Sequence, residues 1–322
     1  MKLPVSQKHI PVLSTVFVCV LLYVAACVRY DGFFSLRVFV NFFINNSFLG
    51  IASVGMTFVI LSGGIDLSVG SMMALCSVVV ARLVMDLHVP PPVAIALALA
   101  IGSLLGCAMG CIIRWAGLAP FIVTLAGLFF ARGAALVLCD GSVRIDHGFY
   151  DAVAGWRLPL GPAGVPLHAL LFVAVVAVGI YVLACRPFGR SVYAVGGNEE
   201  GALLMGVPVG RTKVLVYTLS GFCSALAGVV FTLDSVSGNA RAGVGMELDA
   251  IAAVVVGGTL LSGGVGYVFG TLVGVLIFAI IQTAIAFQGD LNEYWARVAI
   301  GVLLLFFILL QKLFARPGLR RE

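Results

Sequence analysis

The chain has 322 residues, 61% of them hydrophobic and 10% charged, with a mean hydropathy of +1.15 and a formal net charge of +5. A soluble domain carries about 25% charged residues, so this composition excludes an ordinary water-facing enzyme and points to an all-α, polytopic membrane helix bundle. The basic residues are scattered between apolar runs and form no patch, which argues against nucleic acid as a partner and for membrane lipid as the surroundings.

A helix needs about 20 apolar residues to cross the hydrocarbon. In chain order that ruler gives residues 10–28, 40–62, 67–85, 92–113, 118–139, 166–184, 214–234, 248–262, 267–287 and 295–314. The expectation is about ten transmembrane helices, with a range of eight to ten, in a single transmembrane domain over 1–322. The first run follows Lys2 and Lys8 but is too long for a signal-peptide core and lacks a small-x-small site before Arg29, so it reads as an uncleaved span. The eighth is short and glycine-rich, as a broken or re-entrant segment would be.

Lysine and arginine in the short loops set orientation. With both termini in the cytoplasm, the inner side collects Lys2, Lys8, Arg114, Arg186, Arg190, Arg211, Lys213, Lys312, Arg316, Arg320 and Arg321. The outer side then holds a Gly- and Pro-rich loop over 140–165, and the inner side a charged loop over 185–213. Neither is large enough to fold a second domain.

Enzymatic and metal chemistry find no footing. The eight cysteines lie mostly in apolar runs without metal-ligand spacing, and the four histidines sit in or beside loops with no zinc-protease pattern. No Gly-Lys dipeptide occurs, so there is no phosphate-cradling loop. The expectation is a chain with no catalytic residue, no metal, no cofactor and no ATP site of its own.

Three features stand out. First, 51–80 aligns without gaps on 251–280, and Leu61-Ser62-Gly63-Gly64 recurs as Leu261-Ser262-Gly263-Gly264. Transporters are often built from such repeats, although two Gly- and Ala-rich membrane segments also match by composition. Second, Asp66 is the only charged residue between Arg37 and Arg82. A charge in a span costs roughly 2.5 kcal/mol or more at the helix centre. Asp66, with Ser68, reads either as an N-terminal cap meeting water at the cytoplasmic end of the third span or as part of an inward gate.

Third, Asn198 is a good N-cap, Glu199 and Glu200 suit a helix N-terminus, and Gly206 and Pro208 stop what they start. The spacing predicts a helix of about seven residues, roughly 10 Å long, presenting Ala202, Leu203 and Met205. It is either a short amphipathic connector or a rigid knob that a partner protein grips.

Gly64-Ile65-Asp66-Leu67-Ser68-Val69-Gly70-Ser71, Pro120-Phe121-Ile122-Val123-Thr124-Leu125-Ala126-Gly127, Gly196-Gly197-Asn198-Glu199-Glu200 and the run Glu247–Thr259 stand in family order along the chain. Together they resemble the membrane subunits of bacterial ABC sugar importers of the ribose, xylose and galactofuranose type, most closely a permease subunit of the galactofuranose kind. The resemblance implies an inner-membrane permease for a monosaccharide. It also implies three partners: an ABC ATPase, a periplasmic sugar-binding protein and a second, related permease chain. On that view Asn198–Gly206 couples to the ATPase. The outer loop 140–165 departs from the pattern, which leaves the sugar less secure than the family.

Polar residues inside spans need partners or a purpose. Asn41 and Asn45 share a helix face, and either glue helices or line the path; Thr124 and Gln282 read the same way. Glu247 and Asp249, just before the eighth span, read as docking charges for the binding protein or as helix N-terminal charges. The rival functions are a permease of the same superfamily for branched-chain amino acids or another small polar solute, and an ion-coupled secondary transporter. The latter usually carries several mid-membrane ionisable groups, and here Asp66 stands alone.

Overall fold

A computed structural model describes residues 10–160, 163–289 and 294–315. Among them the order is α1 (Ile10–Arg29), α2 (Leu36–Asn45), α3 (Ser47–Leu61), α4 (Val69–Met85), α5 (Pro91–Trp115), α6 (Pro120–Leu138), β1 (Ser142–Arg144), α7 (Gly148–Gly155), β2 (Arg157–Leu160) and β3 (Ala163–Pro166). There follow α8 (Leu167–Cys185), α9 (Pro187–Gly197), α10 (Glu199–Leu204), α11 (Val209–Ser235), β4 (Ser237–Asn239), α12 (Met246–Val256), α13 (Val268–Gln288) and α14 (Tyr294–Ala315).

Each of the ten apolar windows contains helix, yet they are not ten straight crossings. Six helices (α1, α5, α6, α8, α11 and α13) are long and apolar enough by themselves. The window 40–62 is a broken pair, α2 and α3, bent by 58°. The bend falls at Asn46, whose side-chain amide bonds back to the Phe42 carbonyl. The eighth window holds only α12, 11 residues and about 16 Å long, followed by a loop. The basic residues Lys2, Lys8, Arg316, Arg320 and Arg321, used above for orientation, lie outside the described residues.

Two loops carry more structure than their composition announced. In 140–165, β1 pairs antiparallel with β4 (Val143 opposite Gly238), and β2 with β3 (Leu158 opposite Val165). Between them α7 drives the buried Tyr150 toward α11, its hydroxyl 3.3 Å from that of Thr232. In 185–213 a full helix, α9, precedes the expected short one. Pro187 opens it, which suits a residue with no N–H to leave unpaired.

The core is built around α3, α4 and α11. Both α3 and α4 are buried almost all round, as a helix apolar on every face must be. Against α11 lies α5, which presents Gly102, Gly106 and Gly110 on one stripe. A Cβ at Gly106 would strike the Tyr217 carbonyl, and one at Gly221 the Gly102 carbonyl. Small residues four apart let two membrane helices approach backbone to backbone.

The close approach predicts a selective cost. Gly106→Ala should destabilise the detergent-solubilised protein by about 1–3 kcal/mol through overpacking, read as a lowered unfolding midpoint. Gly133→Ala, whose Cβ would meet nothing within 4 Å, should leave it unchanged. Equal midpoints for the two variants would mean that α5 and α11 are not in contact there.

Candidate functional site

Two hairpin tips and one helix end converge at the end of the bundle that carries α9 and α10. The first tip, Ser62–Gly64, follows α3; the second, around Leu261–Gly264, lies between α12 and α13. The Gly264 N–H donates to the Leu61 carbonyl at 2.9 Å, so both tips lie at the same end. The sequence echo is therefore a structural one: two helix–turn–helix units with matching turns that touch.

Glycine is required here for both reasons that favour it. Gly63, Gly263 and Gly264 have φ of +80°, +85° and +75°, in the left-handed region. A Cβ on Gly263 would lie 2.8 Å from the Gly63 nitrogen, and one on Gly264 2.8 Å from the Gly197 Cα. Gly196, near the end of α9, has its missing Cβ replaced by the Leu61 carbonyl. The junction thus stacks the backbones of three chain segments without a side chain between them.

From this junction α10 projects. Asn198 caps it, the side-chain oxygen accepting the Gly201 N–H at 2.9 Å. Lys213 on α11 holds Glu199 with both carboxylate oxygens at 2.7 Å. Ala202 is fully buried in a small cluster with Val195 and Val209, while Leu203, Leu204 and Met205 are 65%, 89% and 74% exposed. This corrects one expectation: Ala202 belongs to the root of the knob, and Leu204 takes its place at the tip. Gly206 ends the helix at φ +79°, and Glu200 is exposed.

A tyrosine ties α9 to the second tip. The Tyr193 hydroxyl donates to the Gly266 carbonyl at 2.7 Å. Burial, with Tyr267 nearby, pushes its pKa up to about 12. The phenol therefore stays protonated and keeps donating throughout the physiological range.

Asp66 sits elsewhere than at a wet helix end. It is fully buried, and the N-cap position of α4 belongs to Ser68. Its Oδ1 accepts from Ser68 N (2.9 Å) and Ser68 Oγ (2.6 Å), and its Oδ2 from Ser220 Oγ of α11 (2.6 Å). Ser220 is eleven residues beyond Val209 (220 − 209), roughly 16 Å along the helix. The carboxylate is thus satisfied by hydroxyl and amide donors of its own chain, and it locks the α3–α4 turn to α11.

The other candidates separate into two groups. Thr124 is fully buried and caps the Ile65 carbonyl at 3.3 Å, besides bonding to Pro120 O. Asp66, Ser68 and Thr124 therefore form one interior knot rather than the lining of a path. Asn41, Asn45 and Gln282 lie on exposed faces of α2 and α13. Glu247 is half-buried and turns one carboxylate oxygen inward: Oε2 is buried over Gly70, at the first turn of α4. Asp249 is half-buried and lines a cleft with Gln282 and Arg297.

Sequence reasoning missed Ser220, Tyr193 and Arg132. The Arg132 Nη1 reaches inward to the carbonyls of Ala240 (2.6 Å) and Ala242 (2.7 Å). Nothing in the spacing singles out Ser220, since its partner is 154 residues away.

Two expected outcomes follow. Ser220→Ala leaves one buried carboxylate oxygen without its donor, costing about 1–3 kcal/mol, and should lower the unfolding midpoint more than Ser235→Ala, an exposed hydroxyl on the same helix. Gly196→Val should disrupt the junction and so depress any activity that passes through α10, while Gly197→Ala, with open space around it, is tolerated. Parallel transport assays on the two glycine variants decide this, and equal rates would dissolve the junction's claim.

Residues 38–308 match the family described as branched-chain amino acid transport system / permease component. The chain is 46% identical over 308 residues to the inner membrane ABC transporter permease protein YjfF of Escherichia coli K12, covering 95% of this chain and 93% of that one. It is 41% identical over 267 residues to the ribose import permease protein RbsC of Bacillus subtilis 168, covering 82% and 81%. To the fructose import permease protein FruG of Bifidobacterium longum it is 33% identical over 314 residues, covering 95% and 92%. No solved structure matches the chain. With most of its length matched both by the family and by these relatives, the chain belongs to the ABC-transporter permease family.

Proposed function

We propose that this chain is the permease subunit of an ATP-driven importer that moves a monosaccharide across the bacterial inner membrane. The observation that carries this is the knob at α10: an apolar tip of Leu203, Leu204 and Met205 left exposed on a root that is capped, ion-paired and packed. Exposed apolar side chains on a rigid base fit a groove in another protein. The partner is an ABC ATPase, which binds the ATP; this chain brings no nucleotide site of its own.

The mechanism follows from the junction. A push on α10 moves α9, whose end stacks on both hairpin tips, so the two helix–turn–helix units shift together. The α3–α4 unit is in turn bolted to α11 through Asp66 and Ser220. Closure of the ATPase therefore reaches the helices around the core without loose loops between.

The end with α9 and α10 is cytoplasmic on this reading, with both chain termini on that side. Arg114, Arg186, Arg190 and Lys213 gather at that end, in keeping with the bias of basic residues toward the cytoplasm. A periplasmic sugar-binding protein delivers the solute at the opposite end, and a second permease chain, different from this one, completes the pair. The ribose and fructose relatives favour a sugar, of galactofuranose-like or other pentose or hexose form. A branched-chain amino acid is the alternative cargo, favoured by the description of the matching family.

Reconstitution tests the proposal. Proteoliposomes containing the chain, its second permease and the ATPase, with the loaded binding protein inside or outside as orientation requires, should take up labelled sugar only with ATP. A photoreactive residue in place of Leu204 should capture the ATPase, and Leu204→Asp should cut ATP-driven uptake at least about tenfold. Uptake by this chain alone, driven by an ion gradient, would overturn the reading, and selective uptake of leucine would replace sugar by the amino acid.

A further inference from the structure

We propose that the cleft between α12, α13 and α14, lined by Asp249, Gln282, Tyr294 and Arg297, is where the permease touches the passing sugar; this rests on the sugar-import reading above. The cleft measures about 490 Å³, within the range of roughly 300–1,000 Å³ common for small-molecule sites. Its four polar side chains stand among apolar ones such as Ile285 and Ile300.

The chemistry fits a polyol. A sugar hydroxyl both donates and accepts hydrogen bonds. Asp249 offers acceptors, Arg297 donors, and Gln282 and Tyr294 both. The apolar walls suit the C–H faces of a ring. Arg297 lies over the Tyr294 ring, 6.0 Å from its centroid, and is close enough for its charge to act on Asp249. The basic and acidic groups are therefore held facing one cavity rather than splayed.

Position supports the same assignment. Gln282 is six residues from the end of α13 (288 − 282), about 9 Å along the axis, and Tyr294 begins α14 at that same end. Glu247, two residues before Asp249, already lies against Gly70 in the first turn of α4. The cleft thus runs from the end opposite α10 toward the depth of the buried turns. Polar side chains on a lipid-facing surface would be costly, whereas along a wet path they have work to do. Interior candidates such as Thr124 and Ser68 are sealed by their own hydrogen bonds and have no such opening.

The test uses the whole reconstituted transporter with saturating sugar-loaded binding protein, reading sugar moved and ATP hydrolysed in the same vesicles. Gln282→Leu and Asp249→Asn should lower sugar moved per ATP at least about fivefold, with Gln282→Asn restoring much of it. Gln282→Leu should also change the preference between a pentose and a hexose. Loss of ATP hydrolysis in proportion to uptake would assign these residues to folding or assembly and overturn the proposal, as would unchanged uptake per ATP in Gln282→Leu, the variant least able to disturb folding because its site is exposed. Failure of the unsubstituted transporter to move any sugar would instead sink the sugar-import reading itself.

Discussion

Backbone that leaves a helix inside an apolar span must find hydrogen-bond partners in protein, because lipid offers none and each orphaned group costs several kcal/mol. This chain breaks its helices repeatedly, and several of the breaks are answered by a donor from a distant segment. Thr15 of α1 donates to the Val256 carbonyl at the end of α12 (2.7 Å). Tyr193 answers Gly266, Arg132 answers Ala240 and Ala242, and Thr124 answers Ile65. The turn after α3 is closed by Gly264 on Leu61. These bonds decide where the irregular segments can lie, and the straight helices pack around them.

The same constraint gives Asp66 its role. A carboxylate is an acceptor only, and burial among donors from Ser68 and Ser220 turns a liability into a fastener between the α3–α4 turn and α11. Ser220 shares α11 with Gly221, which seats α5, and with Lys213, which holds the knob. One long helix therefore braces α10, holds the buried carboxylate and seats α5 at close range. The α3–α4 hairpin is fastened to it directly, and the α12–α13 hairpin meets α3–α4 at the tips.

Those hairpins share a plan: helix, Leu-Ser-Gly-Gly turn, helix. The Thr57 and Thr271 hydroxyls lie 2.7 Å apart, joining α3 to α13 well inside the core. Two similar units are thus tied at their tips and again about one turn further in. The glycines at the tips keep the contact free of side chains. The contact lies apart from the polar cleft at the other end of α13.

How much of this was legible beforehand follows the range of each interaction. Apolar run length and the excess of hydrophobic residues determined the all-helical membrane class by themselves, since bilayer thickness alone sets the needed span. Local signals sufficed for the Asn198 cap and the Gly206 stop, because caps act within a turn. Tertiary structure alone decided that Asn46 breaks a span that hydropathy reads as continuous, and that Asp66, Thr124 and Glu247 turn inward while Gln282 and Asp249 meet in a cleft. Hydropathy averages over a window and cannot see which carbonyl is left open or which hydroxyl, 154 residues away, will close it.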